Sequence, residues 1–200
     1  ESTGMSNSFS GRDALRSAML VTASTYISYA VGLVVSMVAA RHLGPRDFGH
    51  YAYLVWLSGT LTVLICNGLT LTSIRFISES LGRSNAEEAN RIHGLLRSWY
   101  FASIVIVTVF FCLISPWVAP SGWDKPVWWF AAAALIAAVS RADSTFGASV
   151  SKGHSRFEVE AYTINILSLI SLVGVMVLAL SGAALEAYMT LFVMLSLGYA

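Results

Sequence analysis

Uncharged apolar residues run in long blocks along this chain, and most of the charged residues sit between the blocks. Three of them, Ser17 to Ala40, Tyr51 to Ile74 and Ser98 to Trp123, exceed the ~20 residues with which a helix crosses a bilayer. A fourth, Pro126 to Ser140, is short, but beyond Arg141, Ala142 and Asp143 the chain stays uncharged from Ser144 to Ser151. A helix over 126–150 spans only if it carries Arg141 and Asp143 with it. A fifth block runs from Ala161 to Leu185, and a sixth starts after Glu186 and is still apolar at Ala200. The pattern predicts an all-α, polytopic membrane bundle of about six helices, with spans near 17–40, 51–74, 98–119, 126–150, 161–182 and 187–200, the last incomplete.

Local signals punctuate these blocks. Gly44-Pro45 closes the first span and Pro116 and Pro120 close the third, where a missing N–H is tolerated. Ser84 and Glu87 have capping-box spacing and predict a short surface helix leading into the third span. Glu1-Ser-Thr-Gly4 reads as a remnant of expression, with Met5 the expected native start. Because a free carboxylate inside hydrocarbon is costly, the half-span at the end predicts a longer native chain.

Composition strengthens the membrane reading: 56% of the 200 residues are hydrophobic and 12% charged, against roughly 45–50% and 25% in soluble domains. The net charge of +1, with twelve basic residues scattered among eleven acidic ones, argues against nucleic acid, which needs a clustered basic surface. Cys66 and Cys112 lie inside apolar blocks and read as small buried residues. His42, His50, His93 and His154 fall in or beside loops without metal-ligand spacing, so no metal or other cofactor is expected. Basic residues by alternate loops are Arg12, Arg16, Arg75, Arg83, Arg91, Arg97, Lys152 and Arg156 on one side, against Arg41, Arg46 and Lys125 on the other. The positive-inside rule places the N-terminus in the cytoplasm, and Trp123, Trp128 and Trp129 then mark the outer interface.

Two stretches carry a family resemblance: Ala40-Arg-His-Leu-Gly-Pro-Arg-Asp-Phe-Gly-His-Tyr-Ala-Tyr53, and Asn67-Gly-Leu through Ser73-Ile-Arg-Phe-Ile-Ser-Glu79. With Ser151-Lys-Gly-His-Ser-Arg-Phe157, the chain resembles bacterial polysaccharide flippases of the Wzx type, within the multidrug/oligosaccharidyl-lipid/polysaccharide exporter superfamily. The most specific motif is Leu-Gly-Pro-x-x-Phe-Gly-x-Tyr over 43–51. The resemblance implies the N-terminal lobe of a fold of twelve or fourteen helices. It also implies alternating-access movement of an undecaprenyl-pyrophosphate-linked oligosaccharide across the bacterial inner membrane. Partners implied are that substrate, membrane lipids, a C-terminal lobe or second copy, and other polysaccharide-assembly proteins.

A pyrophosphate needs cationic partners, and the planar fork of arginine suits it. Arg141 is the candidate, because a charge within a span costs at least ~2.5–3.5 kcal/mol on insertion scales. It either faces a cavity or snorkels to the cytoplasmic end, roughly 10 Å away. The stripe Ala134, Arg141, Thr145, Ala148 and Lys152 favours a cavity wall. Asp143 points about 160° from Arg141 on an ideal helix, so the two cannot pair, and Asp143 is the candidate for ion coupling. Arg75 is an interface anchor, a partner for Asp143 or a first contact for pyrophosphate. Asn67 is interhelical glue or a sugar ligand. Two stripes of small and hydroxyl residues, Thr22, Thr25, Tyr29, Gly32 and Ser36 in span one and Gly59, Thr62, Cys66, Thr70 and Ser73 in span two, read first as packing faces, with a sugar-contacting cavity wall as the alternative.

Other functions stay open beside the flippase. A multidrug or cation antiporter of the same superfamily would favour buried acids over a buried arginine, and a non-transporting scaffold would dock onto another lobe. A membrane-embedded glycosyl-polymerase would need a large extramembrane loop, whereas the outer loops are short with only Asp47, Asp124 and Glu186 as acids. The chain is therefore read as a transporter and not an enzyme.

Overall fold

The computed structural model describes residues 11–83, 86–118, 120, 122–123, 126–153 and 158–199. Glu1–Gly4, Met5, Ser84 of the capping box, Asp124, Lys125, His154 and Arg156 lie outside the described residues. Six helices follow one another: α1 (Gly11–Cys66), α2 (Leu69–Gly82), α3 (Ala86–Val118), α4 (Val127–Gly153), α5 (Glu158–Leu180) and α6 (Leu185–Tyr199). There is no strand among the described residues. Within α1, α3 and α5 lie stretches long and apolar enough to cross a membrane: Thr22–Cys66, Glu87–Val118 and Thr163–Leu180.

Two backbone features redraw the first two spans. Spans one and two are the two halves of α1, joined at a corner where Gly44 adopts φ 73°, ψ 175°. This is a conformation essentially reserved for glycine. Span two does not run unbroken over 51–74: the helix stops at Cys66, Gly68 takes a positive φ of 81°, and α2 starts at Leu69. Hydropathy continues smoothly across this break because Asn67 and Gly68 interrupt the backbone without adding charge.

Hydrogen bonds give the register. Ser28 bonds Ser168 at 3.1 Å, the Asn165 amide donates to Ser24 Oγ at 3.0 Å, and His42 Nε2 meets the Ala183 carbonyl at 3.2 Å. These pairs advance together, so the first half of α1 runs parallel to α5. The Thr62 hydroxyl donates to the Ala138 carbonyl at 3.2 Å and the Cys66 thiol approaches that of Ala142 at 3.7 Å. The second half of α1 therefore runs parallel to α4, and Ser78 continues the pairing from α2 by donating to the Gly153 carbonyl at 3.2 Å.

The packed face of span one differs from the expected stripe. Thr22, Tyr29 and Ser36 are exposed, while Ser24, Val35 and Ala39 are buried. Small hydroxyl residues occur on both faces here, so they do not single out the buried one. In span two the expected stripe does lie against α4 through Thr62 and Cys66.

Helix α4 touches each of the other five helices, and its alanines explain why. Ala131, Ala133, Ala134, Ala137, Ala138 and Ala142 are all buried, and side chains this short let neighbouring backbones approach closely. At the far end, a Cβ on Gly153 would lie 3.0 Å from the Cβ of Ile77 in α2. Gly153→Val is expected to force α2 and α4 apart at a cost of about 1–3 kcal/mol. A thermal unfolding scan of the detergent-purified protein checks this; an unchanged melting temperature would mean that the contact is not tight. By contrast, Val105, Ile106, Val109, Phe110 and Leu113 on α3 are exposed, the surface expected where lipid tails are the solvent.

Candidate functional site

Two pockets open on different faces of α4, and the two charges inside the helix divide between them. The first, about 130 Å³, is lined by Arg141 with Ser28 and Gly32 of α1, Ser168 and Ser171 of α5, and Phe192 of α6. The second, about 200 Å³, is lined by Asp143 and Phe146 of α4 with His93, Arg97, Tyr100 and Phe101 of α3. The two-residue spacing of Arg141 and Asp143 produces this separation directly, since helix geometry turns them about 160° apart.

Arg141 is half-buried, and its guanidinium stands over the ring of Phe192 at 4.7 Å. At ~1.5 Å per residue it lies about 20 Å along the helix from Trp128, well inside a hydrocarbon layer of about 30 Å. The Phe192 ring in turn packs edge-on against Tyr51 at 6.2 Å, and Tyr51 against Tyr188 at 6.4 Å. The guanidinium is therefore held inside the bundle, against the aromatic cluster of α1 and α6.

The Leu-Gly-Pro-x-x-Phe-Gly-x-Tyr motif thereby acquires a structural meaning. Gly44 makes the corner, Leu43 and Phe48 pack on the small core formed by Val35, Ala39, Val175 and Tyr188, and Tyr51 backs the ring that holds Arg141. Arg46 fixes the corner from outside by donating to the Gly122 carbonyl at 2.9 Å, and Tyr53 does so by donating to Val118 at 2.8 Å. Trp123 stacks on Trp129 at 5.9 Å and meets His50 edge-on at 5.5 Å.

A fixed cation flanked by three serine hydroxyls is a set of donors suited to phosphate oxygens. Arginine offers a bidentate fork, and in the Ser28–Ser168 pair one of the two hydroxyl hydrogens remains available to a guest. A pocket this small admits a charged head group and not an oligosaccharide.

The other residues singled out by sequence lie elsewhere. Arg75 is exposed on α2 with its guanidinium 5.9 Å from the ring of its neighbour Phe76, and Asn67 is exposed at the break before α2. Neither lines either pocket. The pairing considered between Arg75 and Asp143 does not form, and the arginine that shares the pocket of Asp143 is Arg97. Among the described residues no group of three or more His, Cys, Asp or Glu could hold a metal ion. Phe192, Ser168 and Ser171 are not legible as site residues from sequence: each sits in an uninterrupted apolar block and gains its place only from the pairing of α4 with α5 and α6.

Long apolar helices, an apolar outer surface and a charge lodged in a pocket between the helices define a polytopic helical membrane protein with an internal polar site. The chain matches the polysaccharide biosynthesis protein family over residues 14–200 and belongs to it; this is the family of Wzx-type polysaccharide flippases in the multidrug/oligosaccharidyl-lipid/polysaccharide exporter superfamily. No curated protein and no solved structure matches the chain.

Proposed function

We propose that the chain moves an undecaprenyl-pyrophosphate-linked oligosaccharide from the inner to the outer leaflet of the bacterial cytoplasmic membrane by alternating access, with Arg141 as the pyrophosphate contact. The placement of Arg141 within α4, turned into a serine-lined pocket, carries this reading. A buried cation with no function would be costly to keep, and a transported phosphate is the anion that the family context supplies. The loop charges favour a cytoplasmic N-terminus, which puts the Gly44 corner and the Trp123 cluster on the periplasmic side. On this reading the chain works with a second lobe or copy and alongside other polysaccharide-assembly proteins, and Arg75 and Asn67 act before or after the Arg141 step.

Cation antiport within the same superfamily would place the chemistry on Asp143. The test is complementation of a flippase-deleted strain by the full-length gene, scored by surface polysaccharide and by lipid-linked oligosaccharide in spheroplasts. Restored polysaccharide with cleared inner-leaflet intermediate is the expected result. Unrestored polysaccharide at normal membrane expression, with cation-dependent drug resistance instead, would replace the flippase reading by the antiporter.

A further inference from the structure

The pocket on the α3 side of α4 has a chemistry that pyrophosphate transport does not use. His93, Arg97, Tyr100 and Phe101 share one face of α3, and Asp143, Phe146, Gly147 and Val150 face them from α4. Phe146 is the aromatic floor, stacked on Tyr100 at 4.7 Å and 5° and on His93 at 6.4 Å. The Arg97 guanidinium lies over the Phe101 ring at 5.6 Å. Arg97 and Asp143 therefore line one cleft of about 200 Å³, yet no salt bridge joins the two. Asp143 is exposed, and the Tyr100 side chain, only 2% exposed, turns its hydroxyl toward the Asp143 carboxylate.

The depth of the cleft narrows the ligand. From Arg97 to Val118 α3 extends roughly 30 Å, the thickness of the hydrocarbon layer, so Arg97 stands at the level of lipid phosphates. The neighbouring face of α3 is the apolar surface described above. Among the lipids that reach this cleft from the bilayer a phospholipid fits best, because the cleft offers a head group one positive and one negative site and a lipid-linked pyrophosphate would bring no cation to Asp143. Phosphatidylglycerol would bring no cation to Asp143, and phosphatidylcholine would bring a quaternary ammonium with no hydrogen to donate. A primary ammonium two carbons from the phosphate satisfies both.

We propose that the α3–α4 cleft is a binding site for phosphatidylethanolamine, its phosphate held by Arg97 beside His93 and its ammonium by Asp143, over the Phe146 ring.

The test is native mass spectrometry of the detergent-purified full-length protein titrated separately with phosphatidylethanolamine, phosphatidylglycerol and phosphatidylcholine of the same acyl chains. The wild type is expected to retain phosphatidylethanolamine about tenfold better than the other two, as one charge-assisted hydrogen bond would give. Asp143→Asn keeps the shape and is expected to erase that preference while leaving phosphatidylglycerol binding in place, which also reports a folded protein. Arg97→Gln is expected to weaken all three lipids. Equal retention of the three lipids by the wild type, or a preference that survives Asp143→Asn, would overturn the proposal. Displacement by soluble glycerophosphoethanolamine at equal concentration would assign the cleft to a water-soluble ligand and overturn it as well.

Discussion

Arg141→Ala is expected to reduce surface polysaccharide in the complemented strain to the level of the empty vector, with the protein still present in the membrane. The guanidinium is the one charge lining the pocket with Ser28, Ser168 and Ser171. A hydrogen bond to a charged group contributes about 1.5–3 kcal/mol, so removing one slows transport roughly ten- to more than hundredfold. Arg141→Lys keeps the charge but replaces a planar fork with a point donor on a flexible stem, so partial restoration is expected. Phe192→Leu removes the ring under the guanidinium at 4.7 Å and is expected to lower transport without abolishing it, because the cation loses its support but stays in place. Membrane amounts measured by blot separate this from misfolding. Full transport by Arg141→Ala would make the residue a structural one and move the substrate contact elsewhere.

Gly44→Ala is expected to destabilise the lobe by about 1–3 kcal/mol, since a β-carbon at φ 73°, ψ 175° is strained whatever the space around it. Nothing lies within 4 Å of where that β-carbon would be, so the effect isolates backbone strain from crowding. Gly49→Ala is the matched control: it has equal space and sits in helical backbone, where alanine is the better residue by about 1 kcal/mol. Thermal unfolding in detergent should fall by several degrees for the first substitution and stay level or rise for the second. Equal behaviour of the two would mean that the corner does not depend on glycine.

Much of the architecture is legible in the sequence because hydropathy and helix geometry are local. The charge-free blocks mark the helices, Gly44-Pro45 marks the corner, and the two-residue spacing of Arg141 and Asp143 is enough to send them to different faces. The break at Gly68 has a local signal in the Asn67-Gly68 pair, but uncharged apolar residues continue on both sides of it, so hydropathy reads one unbroken span. The packed face of span one escapes the sequence for a related reason: Ser24 and Ser28 are as small and polar as Thr22 and Ser36, and only pairing with Asn165 and Ser168 tells them apart. The pocket partners of Arg141 come from α1, α5 and α6, and such distant pairings are a property of the assembled bundle. Arg97 reads from sequence as one more positive-inside residue, and its place opposite Asp143 depends on how α3 meets α4.

The composition of α4 also constrains how the protein is made. Its buried face is built largely of alanine, it carries Arg141 and Asp143, and it is not among the helices long and apolar enough to cross a membrane by themselves. A charge within a span opposes entry from the translocon by up to about 2.5–3.5 kcal/mol, the value reached at the bilayer centre. The helices that can enter alone include α1 and α3, which are synthesised first and supply the Thr62, Cys66 and Tyr100 surfaces against which α4 packs. Insertion of α4 is thus coupled to the prior arrival of its neighbours, and the site charges make membrane integration a cooperative event instead of a sequence of independent steps.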